Sequence, residues 1–251
     1  MPHTEDILPG GRYAVVSCHV ERPLDDGVWE QFSALQERQP AGFRITALMR
    51  PPDSDAGEDE GQWLERARAA ARNGALGLHT HWTAPDHARP TGGDPAALVR
   101  RQVEWLHARG LGVSLFCGGG WYFDEPVAEA LAELGFADST ATRFRPRYLA
   151  ADAPRLHASQ PCHVELASGR KLLELPTTHS IGMLARGLFG PFIGPVVHVY
   201  FHDTDLLSRT RRAALKIGLA FLAGKRTQTD LAALQRGFRP TKRISFANSR
   251  G

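Results

Sequence analysis

The sequence predicts an α/β fold in which parallel strands form a barrel and helices pack around it. Three observations carry this expectation. Short apolar, β-rich runs alternate with amphipathic helical segments, the connections between them are short, and histidine-rich polar clusters follow the strands at one end. Six or seven such units suit a barrel of fewer than eight strands. An open doubly wound sheet is disfavoured, because no GxGxxG turn follows the first strand.

Taken in order, Tyr13–Cys18 (YAVVSC) is the first predicted strand, and Val28–Gln36 carries apolar residues at helical spacing. Phe43–Met49 (FRITALM) is the second strand. The acidic stretch Pro51–Glu60 reads as a surface loop, and Glu60–Arg72 is rich in helix formers. Ala75–Leu78 is the third strand. Asp94 then caps a helix that opens on Pro95, runs to Arg109 and stops at Gly110. Leu111–Phe116 (LGVSLF) is the fourth strand, and Glu125–Leu134 is a helix with an early proline and a stop at Gly135. A weaker strand lies near Phe136–Thr140, followed by Lys171–Leu175 and Val196–Phe201. Leu206–Leu222 is the longest helix, with Asp205 as a candidate cap, and Asp230–Gln235 closes the pattern. No internal repeat and no Pro-, Gly- or Ser-rich linker divides the chain. Residues 1–251 therefore read as a single domain with its core at about residues 13–222.

The bulk properties narrow the class of function. The 251 residues are 42% hydrophobic and 23% charged, ordinary for a soluble globular protein. The net charge of +3 comes from scattered basic residues, which excludes a nucleic-acid stripe. No stretch reaches 18 uninterrupted apolar residues, and MPHTEDILPGG lacks the layout of a signal peptide. Three widely spaced cysteines without a CxxC pair fit a reduced compartment. The expected setting is cytoplasmic, with neither nucleic acid nor membrane as partner. No feature indicates an oligomeric state.

In parallel α/β folds the reactive groups gather where strands end. Five of the eleven histidines, His19, His79, His81, His179 and His202, fall there with one polarity. His198 instead lies inside its strand and reads as a hydrogen-bonded structural histidine. His79 and His81 are two residues apart, so a strand places both on one face. That spacing clamps a divalent metal when Glu21 or His19 arrives from the neighbouring first strand. Without a metal the same groups make a general acid–base site. Gly118, Gly119 and Gly120 leave room for a close approach, with Trp121 and Tyr122 beside them. Trp82 and Trp121 are either sugar-stacking walls or plugs of the barrel mouth.

These motifs, in this order, resemble the polysaccharide deacetylase family (carbohydrate esterase family 4, the NodB-homology domain) over roughly Tyr13 to Leu222. His79-Thr80 is similar to the family's metal motif, and LFCGGGWYFDEPVAEALAELGFADST to its strand, Gly-containing turn, helix and following Asp-Ser. KLLELP resembles the late strand ending in proline, and VYFHD the last motif. The resemblance implies a distorted (β/α)7 barrel. It also implies a divalent metal, zinc first, and removal of N- or O-acetyl groups from a sugar or sugar-containing small molecule. On this reading Glu21, His79 and His81 hold the metal and His19 is the base. His202, tuned by Asp203 or Asp205, is the acid, while Trp82, Gly119, Gly120, Trp121, Tyr122 and His179 meet the substrate. The chain departs from the pattern in three places. Thr83 stands where the second metal histidine belongs, His19-Val20-Glu21 replaces Asp-Asp, and Cys117 replaces the arginine that orients the base. Two rivals follow: a metal-free amidohydrolase or biosynthetic enzyme on the same fold, and a carbohydrate-binding pseudoenzyme.

Overall fold

Strand β1 (Tyr13–Val20) is buried along its whole length, and its alternation separates two apolar layers. Ala14, Val16, Cys18 and Val20 join the large cluster beneath the helices. Tyr13 and Val15 face a smaller cluster with Leu48, Leu115, Cys117 and Trp121, which fills the barrel interior. Ser17 and His19 continue the inner row as buried polar residues. The inner face thus changes from apolar to polar along the strand, and the site lies where it changes. The computed structural model describes residues 7, 10–146, 149–150, 153–187 and 194–246.

The chain continues through α1 (Asp26–Arg38), β2 (Thr46–Met49), α2 (Glu60–Asn73), β3 (Leu76–Thr80), α3 (Pro95–Ala108), β4 (Leu115–Gly118), α4 (Glu125–Glu133) and β5 (Ala137–Asp138). There follow β6 (Cys162–Glu165), β7 (Lys171–Glu174), β8 (His179–Ser180), α5 (Ile181–Gly187) and β9 (Val196–His202). The last elements are α6 (Arg209–Ala223), β10 (Thr227–Gln228), α7 (Leu231–Gly237) and β11 (Arg243–Ser245).

Strands β1 to β5 pair in sequence, all parallel, and β9 pairs parallel to the other side of β1. One continuous segment joins the two free sides. Its start, β7, pairs with β5, and the Leu175 and Thr177 amides then donate to the Asp138 and Ala141 carbonyls. Its end changes partner: the Thr178 amide donates to the His198 carbonyl, and β8 pairs with β9. The ring therefore has seven positions: β1, β2, β3, β4, β5, the β7–β8 segment and β9. Outside it, β6 runs antiparallel to β7 and carries β11, while β10 adds to the start of β1.

Helix starts follow a single device. Asp25, Asp59, Asp94, Asp124 and Asp230 each accept a hydrogen bond from a first-turn amide of α1, α2, α3, α4 and α7, and Ser208 does the same for α6. Asp205 does not cap the long helix. A short 3-10 turn, Asp203–Leu207, separates β9 from α6, and Asp205 closes that turn onto the His202 amide. The fourth strand also starts later than the sequence suggests, at Leu115. Leu111 and Val113 are buried, but as a turn out of α3. Among the described residues no helix is long and apolar enough to cross a membrane.

Candidate metal and catalytic centre

The inner faces of four strands deliver the polar groups. Strand β1 supplies Ser17, His19 and, just beyond its end, Glu21; β3 supplies His79 and then His81. Cys117 comes from β4, and β9 supplies His198, Tyr200 and His202. His198 is the deepest. Its Nδ1 donates to the Leu175 carbonyl at 3.1 Å, so its Nε2 accepts from the Ser17 hydroxyl at 2.8 Å. Burial lowers its pKa from 6.5 to about 4. It is a neutral tie between β1, β9 and the closing segment, as its place within the strand predicts.

Above it, one carboxylate oxygen gathers three imidazoles. Glu21 Oε1 lies 3.7 Å from His79 Nε2, 3.5 Å from His81 Nε2 and 3.5 Å from His202 Nε2. Burial alone pushes the Glu21 carboxyl up, but the imidazoles of His79, His81 and His202 crowded around it outweigh that, holding the group well below the usual carboxylate range. The tautomers of His79 and His81 are fixed from behind. His79 Nδ1 donates to the Cys117 carbonyl at 2.9 Å, and His81 Nδ1 donates to the Pro85 carbonyl at 2.7 Å. Each ring therefore turns an unprotonated Nε2 towards Glu21, and both atoms are buried without a hydrogen-bond partner. Two lone pairs facing a carboxylate oxygen repel unless a cation lies among them. The ligand atoms of Glu21, His79 and His81 lie within 4.8 Å of one another, and two imidazoles with a carboxylate suit a divalent ion. His81, two residues after His79, is the second histidine of this donor group.

His19 lies against this set. It stacks on His79 with ring centres 4.6 Å apart, meets His202 edge-on at 5.3 Å, and places Nε2 3.5 Å from Cys117 Sγ. Burial, followed by the neighbouring imidazoles of His79 and His202, lowers its pKa well below 6.5. Burial likewise pushes the Cys117 thiol well above its ordinary value. Tyr200 and Trp121 flank His19 at 5.1 and 5.6 Å between ring centres. A cavity of about 230 Å³ opens over His19, Glu21, His79, Trp121 and His202.

The other predicted site residues divide. Asp205 is close to His202: its Oδ2 lies 3.9 Å from His202 Nδ1, and its other oxygen pairs with Arg211. Asp203 serves the backbone, accepting from the amides of Arg22 and Thr204 at 2.8 Å each, and burial raises its pKa to about 6. His179 is buried on β8, hydrogen bonded to the Thr178 hydroxyl, and does not line the cavity. Trp82 is buried and donates to the Gly119 carbonyl at 3.0 Å, bordering the neighbouring groove of about 420 Å³. Tyr122 donates to Asp124, the cap of α4, at 2.5 Å.

The glycines admit the protein's own chain. A Cβ on Gly119 would meet the Thr80 and Ala88 carbonyl oxygens at 2.6 and 2.8 Å, and one on Gly120 would strike Arg89. Arg89 donates to the Gly120 carbonyl at 2.5 Å, so the 84–89 loop covers Gly119 and Gly120 and borders the cavity. Tyr200, Arg89 and Thr140, whose hydroxyl accepts from the Gly118 amide at 2.6 Å, are site or supporting residues that the sequence reading passed over. A signal existed for Tyr200, which alternates with His198 and His202.

Comparison with known proteins places the fold. No family model and no curated protein matches the chain. Solved structures do. A 4-alpha-glucanotransferase from Thermococcus litoralis aligns with a TM-score of 0.60 at 14% identity over 94% of this chain, which spans only 42% of the larger protein. A protein assigned as a polysaccharide deacetylase from Mycobacterium smegmatis aligns with a TM-score of 0.59 at 15% identity over 91% of both chains. A family 4 carbohydrate esterase from Streptomyces lividans, solved with acetate, aligns with a TM-score of 0.51 at 15% identity over 93% of this chain and 98% of its own. The architecture is that of the polysaccharide deacetylase barrel.

Proposed function

We propose that the chain is a metal-dependent hydrolase that removes an acetyl group from a sugar or a sugar-containing small molecule. The observation that carries this reading is the pair of buried, partnerless Nε2 atoms of His79 and His81 facing Glu21, beside a cavity that Glu21 and His79 line. A divalent ion held by these three residues would supply Lewis-acid polarisation of the acetyl carbonyl. His19 reaches the cavity as a neutral imidazole and accepts a proton from the attacking water. His202 stands beside it on the neighbouring strand β9 and donates a proton to the leaving amine or alcohol, with Asp205 orienting its Nδ1. Tyr200 and Trp121 pack against the His19 ring and fix its orientation. The solved relatives described as deacetylase and carbohydrate esterase support this class of reaction.

The test is acetate release from a panel of N- and O-acetylated sugars, alongside metal analysis of the purified protein. Activity should vanish on chelation and return with a divalent ion, and His202→Ala should lower kcat by about 10²–10⁴-fold. A protein that binds no divalent ion and releases no acetate overturns the reading. One observation favours a second reading: His19 Nε2 is engaged by Cys117 Sγ, and burial makes this imidazole a weak base. The chain would then bind acetylated sugars without turning them over, and glycan binding unchanged in His202→Ala, with no turnover by either form, would identify it.

A further inference from the structure

Beside the Glu21 set lies a second group of metal donors, which shares His79 with it and adds two residues, His19 and Cys117, that the reaction above does not use as ligands. The ligand atoms of His19, His79 and Cys117 fall within 4.8 Å of one another, and all three residues are buried. The separation of Cys117 Sγ from His19 Nε2 is 3.5 Å. An ion with a metal–sulfur bond of about 2.3 Å and a metal–nitrogen bond of about 2.0 Å, at the tetrahedral angle, spans about 3.5 Å between those atoms. We propose that His19, Cys117 and His79 form a second, sulfur-containing site for a borderline-soft divalent ion such as zinc or cobalt(II), exclusive with the Glu21 set.

Exclusivity follows from His79. Its Nδ1 carries the proton given to the Cys117 carbonyl, so it has one free lone pair, at Nε2, and both sets need it. Binding at the sulfur set forms a metal–thiolate bond and releases the Cys117 thiol proton to solvent. Softness divides the ions: the thiolate set draws zinc-like ions, and the carboxylate set keeps oxygen-preferring ions such as manganese. The other cysteines do not compete. Cys18 lies on the helix-facing side of β1 and Cys162 is on β6; neither belongs to either donor group. The site rests on these donors and not on the deacetylase reading, because its test requires no turnover.

That test is a cobalt(II) titration of the metal-free full-length chain, followed by absorption. A thiolate-to-cobalt charge-transfer band in the near ultraviolet should rise to a plateau at one ion per chain. It should persist in Glu21→Gln and vanish in Cys117→Ser, which still binds cobalt through the Glu21 set. Cadmium-113 resonance of the unsubstituted chain reads the same ligation without relying on a variant, as a single signal in the sulfur-ligated range. Cobalt bound without the band, a band that survives Cys117→Ser, or no binding of either ion overturns the proposal.

Discussion

Glu21 Oε1 faces three imidazole nitrogens, and the protein leaves two of those nitrogens without any other partner. Replacing that oxygen with an amide tests whether it is a ligand. Glu21→Gln should weaken manganese(II) binding, followed by electron paramagnetic resonance, by more than the roughly 10–100-fold typical of outer-layer partners. His198, one layer deeper, makes a pH prediction. Its pKa is lowered from 6.5 to about 4, so the folded state binds fewer protons than the unfolded chain between those values. The stabilisation is complete above about 6.5 and lost as pH falls through 4, and it amounts to about 3 kcal/mol. His198→Gln keeps a donor and an acceptor without the charge. Urea unfolding at pH 7 and pH 4.5 should show a smaller loss of stability in the variant than in the wild type. At this scale the sequence was legible where strand alternation governed: His19, His79, His81 and His202 meet because each lies on an inner face at a strand end. It was illegible where a residue's partner is distant in sequence. Nothing local to Gly119 shows that the carbonyls of Thr80 and Ala88 will press against it.

Among the elements, helix starts were the most readable, because capping is a local chemistry of three or four residues. Asp94 is exposed, and its cap on the Ala97 amide at 3.0 Å is its visible contribution. Asp94→Ala should lower stability by about 1 kcal/mol and Asp94→Ser should restore most of it, measured by thermal or urea unfolding. Strand limits were less readable. LGVSLF looks uniform, yet the Leu111 amide bonds back to the Leu106 carbonyl, so its first residues finish α3 and only Leu115 onward pairs. A buried turn and a buried strand carry the same apolar residues, and only the destination of the amides separates them. The short strands β8, β10 and β11 escape for the same reason: two or three residues hold no period.

For the whole molecule, the join between β5 and β7 holds a buried acidic pair. Asp138 and Glu174 are opposite one another in register, both fully buried. Burial raises both, and for Glu174 the neighbouring Asp138 adds to it, so the pair keeps a proton in the folded state that the unfolded chain gives up. Stability from this pair is present at low pH and lost as pH rises. Glu174→Gln should therefore unfold at a higher temperature than the wild type at pH 9, with a smaller difference at pH 6, as scanning calorimetry would show. The seven-position barrel as a class was legible from the count of strand–helix units. Its closure was not, because a single segment, 171–180, divides its amides between two strands more than fifty residues apart in sequence.

That divided segment and the β1–β9 pairing also set an order of events in time. Ser17 and His198, which share a hydrogen bond, are 181 residues apart along the chain, whereas β1 reaches β2 within one helical crossover. Non-local pairings bear the larger loop-closure entropy and come late. During synthesis β1, with every residue destined for burial, therefore waits with one edge bare until β9 has emerged. His202 joins the imidazoles around Glu21 only at that step, so Glu21, His79 and His81 are already together when the last member of the site arrives.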